Sequence, residues 1–169
     1  QAGPLSFEII SNKKKLICNS GYFQNPNYQL NELSKSSAIH STLTLDDRSS
    51  CKFTKTKNEN SEISHGLQIL KKNIVFEKNY WKINAAHDGY LRKYNSIHER
   101  EIEFFPEQVK FIGIDEIIKK KTNNNYKFDI RFHVEPNVKL MKTKDNKTIF
   151  IELVDEGWKF TCEKFDINI

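Results

Sequence analysis

The sequence has few of the residues that mark metal-binding or disulfide-rich domains. Its three cysteines, Cys18, Cys51 and Cys162, lie far apart and form no Cys-x-x-Cys pair. Such spacing predicts neither a zinc knuckle nor a disulfide framework, so we expect buried free thiols. The 6 glycines include no glycine-rich phosphate loop, and the chain has no serine nucleophile elbow. The sequence therefore carries no sign of phosphate-loop nucleotide binding or of serine hydrolase chemistry.

The chain also lacks long hydrophobic runs. No apolar stretch approaches the roughly 20 residues that a membrane-spanning helix needs, so we expect no membrane span. Charged residues make up 29% of the 169 residues, but 12 Phe, 6 Tyr and 2 Trp are too many aromatic residues for a disordered chain. A chain of this length buries about 70% of its unfolded surface. We predict one domain over residues 1–169.

Basic residues outnumber acidic ones, which gives a formal net charge of +5. This balance is compatible with a polyanionic partner. The lysines are scattered, however, with short runs only at 13–15 and 119–121, and such runs are usually solvated turns and strand edges. A domain that binds single-stranded nucleic acid would expose aromatic residues between the basic ones. The aromatic residues here fall mostly on predicted inward faces, so we expect no nucleic acid partner.

Short stretches of alternating hydrophobic and polar residues recur along the chain and predict strands. No segment has a helical period longer than two turns. We expect loops at 22–37 and 48–65, where polar residues dominate. The predicted fold is all-β, an antiparallel β-sandwich of about ten or more strands. The predicted strands cover 5–10, 15–19, 38–47, 74–77, 80–87, 97–105, 109–118, 127–135, 138–141, 148–154 and 158–162.

The stretch 38–47 combines a strand pattern with residues that carry chemistry. Leu43 and Leu45 share one predicted face, whereas His40 lies on the other, and the stretch ends in Asp46 and Asp47. A histidine at one end and paired carboxylates at the other are unusual for a strand that only builds the core.

The predicted strand 97–105 places two polar residues at the end of an apolar face. His98 and Arg100 alternate onto the same side as Ile102 and Phe104. A guanidinium placed on an apolar face requires a partner, because an unpaired buried charge is costly.

Three of the five histidines lie at predicted strand ends beside charged groups: His40, His87 and His98. We expect His65 and His133 to be ordinary surface residues. Two histidines and a carboxylate would suffice for a Zn²⁺ site. The same imidazoles could bind a uronate sugar and act as general acid or base. They could equally be structural histidines at the rim of a sandwich, and the spacing alone does not choose among these three.

Several short motifs follow one another along nearly the whole chain. The motifs are Ala-Gly-Pro-Leu-Ser-Phe-Glu at 2–8, Asn-Ser-Gly at 19–21, Ser-Ala-Ile-His-Ser-Thr-Leu-Thr-Leu-Asp-Asp at 37–47, His-Asp-Gly-Tyr at 87–90, His-Glu-Arg at 98–100 and Phe-Asp-Ile-Arg-Phe-His-Val-Glu-Pro at 128–136. Together they resemble the C-terminal domain of the heparinase II/III-like proteins, in versions found in Gram-negative bacteria.

The resemblance implies a β-sandwich that follows an α-helical toroid in the same protein. It implies a polysaccharide lyase of the periplasm or cell envelope, which cleaves uronate-containing acidic polysaccharides by β-elimination in a cleft between the two parts. The chain begins at Gln1, where many relatives have a histidine, and runs almost at once into a strand-like stretch. We therefore expect an excised piece of a longer protein, inactive without its toroid.

The resemblance also implies a structural zinc ion in several members. His40 and His98 match sandwich histidines that the family uses for metal or for the active site. The third ligand in those members is an aspartate, for which Asp47 and Asp88 are the candidates here.

His87 and Tyr90 match a family motif near the cleft between toroid and sandwich. We predict a catalytic part for His40 and Tyr90, and contacts with substrate for His87 and Arg100. The alternative function is a carbohydrate-binding or structural β-sandwich without catalysis.

Overall fold

The computed structural model describes residues 2–21, 28–55, 61–120, 125–136 and 138–169. Strands dominate these residues and pair antiparallel, which confirms the all-β prediction. Two short helices, α1 (Tyr28–Leu33) and α2 (Leu91–Tyr94), interrupt them. The strands are β1 (Ile9–Ser11), β2 (Lys14–Ile17), β3 (Leu43–Leu45), β4 (Lys52–Lys55), β5 (Ser61–His65), β6 (Ile69–Glu77), β7 (Tyr80–His87), β8 (Ser96–Phe105), β9 (Lys110–Lys119), β10 (Phe128–Ile130), β11 (Lys139–Lys142), β12 (Thr148–Glu152) and β13 (Gly157–Thr161).

The chain divides into two compact units. The first contains Gln1–Phe7 with Asn19–His133, and the second contains Glu8–Cys18 with Val134–Ile169. The first unit holds every residue for which we predicted a functional role. None of the helices in the described part of the chain has the length and apolar character of a segment that crosses a bilayer.

The largest sheet of the first unit is a meander of β6, β7, β8 and β9. The two-residue turn Lys78-Asn79 joins β6 to β7, as predicted, and β7 has the predicted bounds. In an antiparallel pair, residues that face each other project their side chains to the same side. The register therefore places His87 beside His98 and Arg100 beside Asp115 on one face.

A small apolar core lies beside this sheet. β3 pairs with β10, and Leu43 and Leu45 are almost fully buried together with Tyr90 and Tyr94 of the α2 region. Burying a leucine side chain contributes about 1.5–3 kcal/mol. Thr44, on the other face of β3, is buried as well, so both faces of this strand lie inside the protein.

Several predicted bounds were wrong. The predicted strand 38–47 contracts to three residues, because a 3-10 helix (Ser37–Ile39) precedes it and ends at His40. The predicted loop 22–37 contains α1, which is too short to show a helical period, and the predicted loop 48–65 contains the β4–β5 hairpin. The parts of these loops at 22–27 and 56–60 lie outside the described residues.

Two further corrections concern the segments that flank the site. In the predicted strand 5–10, Leu5 has a φ of 57° and only Ile9 and Ile10 belong to a strand, since the carbonyl of Leu5 binds a side chain instead of a sheet partner. His133 was predicted to be a surface residue, but it is half-buried and its Nε2 lies 3.1 Å from the carbonyl of Ala38. His65 is exposed, as expected.

The second unit contains the β1–β2 hairpin and the three-stranded sheet β11–β12–β13. Ile149 and Ile151 alternate along β12 and are buried. The carboxylate of Glu156 accepts a hydrogen bond from the hydroxyl of Ser11, which joins the two parts of this unit. Among the described residues, the three cysteines form no disulfide; Cys51 is buried, as predicted, whereas Cys18 and Cys162 are only half-buried.

Candidate functional site

Two histidines meet where β7 ends and β8 begins. His87 and His98 are a cross-strand pair, both without exposed surface, and Nε2 of His87 lies 3.2 Å from Nδ1 of His98. The backbone N–H of Gly89 donates to Nδ1 of His87 over 3.1 Å. The turn after β7 thus caps one end of the histidine pair.

These contacts fix the tautomers of both rings. A backbone N–H only donates, so Nδ1 of His87 accepts and the proton of this neutral ring lies on Nε2. That proton is donated to Nδ1 of His98, whose own proton must then lie on Nε2. Nε2 of His98 lies 2.6 Å from Oδ1 of Asp115 and donates to it. All four ring nitrogens are therefore engaged by protein groups.

Arg100 binds the same carboxylate from a second side. Its Nε lies 2.7 Å from Oδ1 of Asp115 and its Nη2 lies 3.0 Å from Oδ2, which is a bidentate ion pair. Its Nη1 donates to the carbonyls of Ser41 and Leu5, over 2.7 Å and 2.9 Å. The ring of Phe7 lies over the guanidinium, with 5.3 Å between the ring centroid and the central carbon. The buried guanidinium of Arg100 therefore has the charged partner that its predicted position on an apolar face requires.

The sequence analysis did not identify Asp115, although a signal was present. In the predicted strand 109–118, alternation places Asp115 on the same side as Phe111 and Gly113. A carboxylate on that side is the natural partner for the inward-facing Arg100 of the neighbouring strand.

Burial and charge set the ionisation of this network. Burial, together with the positive charge of nearby Arg100, lowers the pKa of His87 to about 3. Burial disfavours ionisation of Asp115, but the hydrogen bond from His98 and the guanidinium of Arg100 outweigh it and hold the pKa of Asp115 below its usual value. The result is a neutral His87 and an ionised Asp115, in agreement with the donor pattern.

His40 lies apart from this network and differs from His87 and His98 in the contacts of its ring nitrogens. The residue is only 3% exposed, yet neither of its ring nitrogens has a hydrogen-bond partner among the described residues. Gly3 packs against the ring so closely that a Cβ on Gly3 would lie 2.3 Å from Cδ2 of His40. Burial lowers the pKa of His40 below its ordinary value, which favours the neutral ring.

Tyr90, a predicted catalytic residue, lies in the core beside β3. Its hydroxyl is 2.9 Å from the carbonyl of Leu43 and 3.3 Å from that of Arg48. Burial raises the pKa of Tyr90, so the hydroxyl resists ionisation. In this position Tyr90 fastens α2 to the end of β3.

The two candidate aspartates point to other partners. The side chain of Asp47 is 75% exposed and binds Arg131, and Asp88 accepts a hydrogen bond from the backbone N–H of Gln68 over 2.6 Å. Within the described ranges, no three His, Cys, Asp or Glu side chains are grouped so that they could hold a metal ion. The positions of the candidate ligands therefore do not fit a zinc site. The zinc ion expected from the resemblance stays a prediction.

The whole chain matches a family model. The family is described as heparinase II/III-like, C-terminal, and the match covers residues 1–169. No curated protein and no solved structure matches the chain. Since the match spans every residue and agrees with the motifs read from the sequence, the chain belongs to the heparinase II/III-like C-terminal family.

Proposed function

We propose that this chain is the β-domain of a polysaccharide lyase that acts on uronate-containing acidic polysaccharides. The family match over residues 1–169 carries the proposal, because the heparinase II/III-like family is one of polysaccharide lyases. The net charge of +5 suits an anionic polymer. A helical toroid of the same protein, in the periplasm or cell envelope, is part of the proposal and would supply the remaining catalytic groups.

The reaction is a β-elimination. A base removes the proton alpha to the uronate carboxyl group, and an enolate forms while the carboxylate is neutralised. The bond to the leaving oxygen then breaks, a new carbon–carbon double bond forms, and an acid protonates that oxygen. Each proton transfer needs a group whose nitrogen or oxygen is not already committed to a protein partner.

Within this chain, His40 is the histidine that suits such a transfer. Its ring nitrogens have no partner among the described residues, whereas those of His87 and His98 all bind protein groups. A neutral imidazole can accept a proton, and the lowered pKa of His40 favours that form near neutral pH. Substrate contacts by His87 and Arg100 are weaker proposals, because the nitrogens of both side chains bind protein groups, whereas those of the equally buried His40 have no partner among the described residues.

The lyase proposal is tested on the complete protein with sulfated and unsulfated uronate polymers. Elimination leaves an unsaturated uronate that absorbs in the near ultraviolet, so the product is detected directly. We expect activity in the wild type, its loss in His40→Ala, and its retention in His65→Ala, which replaces an exposed histidine. Full activity of His40→Ala would refute the role of His40, and absence of product from every polymer would refute the lyase.

One observation favours the alternative, a carbohydrate-binding or structural domain. Tyr90, His87 and Arg100 were predicted to take part in chemistry or substrate contact, but all three are buried in contacts with protein groups. A pure binder would retain the polymer in an affinity measurement and leave its length unchanged.

The zinc prediction has its own test. Elemental analysis of the purified chain is made beside the variants His40→Ala and His98→Ala. One zinc per chain that is lost in both variants would support the family expectation. Zinc that persists in either variant, or an absence of zinc in the wild type, would contradict it.

A further inference from the structure

Two backbone segments enclose His40. One is the segment that carries it, and the other is the segment 2–5, whose Gly3 covers the ring. The hydroxyl of Thr42 donates to the carbonyl of Pro4 over 2.8 Å, which ties the segments together beside the ring. The position of the His40 ring therefore depends on how firmly both segments are held.

A single side-chain nitrogen binds both segments. Nη1 of Arg100 donates to the carbonyl of Ser41, the residue after His40, and to the carbonyl of Leu5, two residues after Gly3. Leu5 has a φ of 57°, an uncommon conformation for a leucine, at the point where its carbonyl accepts this bond. Arg100 thus connects the enclosure of His40 to β8.

Asp115 fixes the direction of Arg100. The bidentate pair holds the guanidinium plane, so Nη1 points away from β9 and toward the two carbonyls. Asp115 is itself oriented by His98, which is oriented by His87, and the chain of hydrogen bonds ends at the backbone of Gly89. In this series of hydrogen bonds, each nitrogen and oxygen acts either as donor or as acceptor without conflict.

We propose that Arg100 and Asp115 are positioning residues that hold the backbone around His40, with His98 and His87 as the support of Asp115. The proposal rests on the proposed function only for its catalytic consequence, since the enclosure of His40 exists whatever the protein does. It also gives His87 and His98 a role, which is to orient the carboxylate of Asp115 and not to bind a metal ion.

The test measures how fast diethylpyrocarbonate modifies His40 in the 169-residue chain, with peptide mapping by mass spectrometry. The variants are Asp115→Asn and Arg100→Lys, and the exposed His65 is the reference within each sample. Charge-assisted hydrogen bonds contribute about 1.5–3 kcal/mol, so we expect His40 to react at least about tenfold faster relative to His65 in both variants. The matched control Asp129→Asn removes an exposed partner of an arginine and should change nothing.

Amide hydrogen exchange distinguishes a local release of the backbone around His40 from a general loss of structure. Positioning predicts lost protection in 2–7 and 37–42 and unchanged protection in the middle of β7 and β8. A His40 rate within about twofold of the wild type in the folded variants, or an equal loss of protection in all segments, would overturn the proposal. Arg100→Lys keeps the positive charge but removes the planar guanidinium, so this variant alone is used for the test if Asp115→Asn does not fold. If neither folds, the pair is required for folding and the positioning role fails.

A kinetic measurement connects the proposal to catalysis. In an active complete protein, Arg100→Lys should lower kcat for the elimination and leave KM nearly unchanged, because it moves His40 and touches no substrate. A lowered affinity with unchanged kcat would contradict positioning. The labelling experiment needs no activity, so a failure of the lyase proposal and a failure of this one are distinguished.

Discussion

The buried neutral His87 predicts a specific loss of stability in acid. Its pKa is about 3 in the folded protein, because burial and the positive charge of Arg100 oppose protonation. In the unfolded chain a histidine has a pKa of about 6.5. The folded pKa is the lower one, so this stability is complete above about pH 6.5 and is lost as the pH falls toward 3.

The magnitude follows from the two pKa values. From about pH 7 to about pH 5, the excess of protons that the unfolded chain binds rises from about a quarter to nearly one, and the free energy of unfolding falls by about 2 kcal/mol. The lowered pKa of His40 acts in the same direction, and Asp115 adds a further loss below about pH 4 as its carboxylate is protonated.

The assay is urea denaturation of the chain at both pH values. The variant His87→Gln isolates the effect, because glutamine does not titrate but can still donate and accept a hydrogen bond. We expect the variant to be less stable at neutral pH and to lose about 2 kcal/mol less than the wild type on acidification. The control His65→Gln, at an exposed position, should keep the full loss. An equal pH dependence in the wild type and His87→Gln would refute the reasoning.

Two further predictions concern the packing of the site. Arg100→Met leaves Asp115 buried without its partner, and we expect a loss of about 3–5 kcal/mol in urea denaturation. The double variant Arg100→Met with Asp115→Leu should recover part of that loss, and a strictly additive result would show that the pair is not coupled. Gly3→Ala places a Cβ 2.3 Å from His40 and should cost about 1–3 kcal/mol, whereas Gly113→Ala meets nothing within 4 Å and should be nearly neutral. Equal melting temperatures for the two alanine variants would contradict the close approach at Gly3.

The central sheet could be predicted because its sequence signals are local. β7 alternates in residue type along its length, and the turn Lys78-Asn79 separates it from β6. The same alternation placed His98 and Arg100 on one face and required a partner for the guanidinium. Asp115 could have been identified in the same way from the alternation of β9.

The surroundings of His40 could not be predicted in this way. The pattern of 38–47 is that of a strand, but only Leu43–Leu45 pair in a ladder. The backbone N–H and carbonyl of Ser41 bind the side chains of Asn19 and Arg100 instead, and the hydroxyl of Thr42 binds the carbonyl of Pro4. Hydrogen bonds between segments so distant in the sequence have no periodic signature. The sequence therefore singled out three histidines but could not show which of them lacks a hydrogen-bond partner among the described residues.

The central claim is that His87 and His98 are committed to a hydrogen-bond chain and that His40 is not. Nitrogen-15 NMR of the histidine rings at neutral pH tests it most directly, because protonated and unprotonated ring nitrogens have distinct shifts. The account predicts that both His87 and His98 carry their proton on Nε2. A proton on Nδ1 of either ring would contradict it.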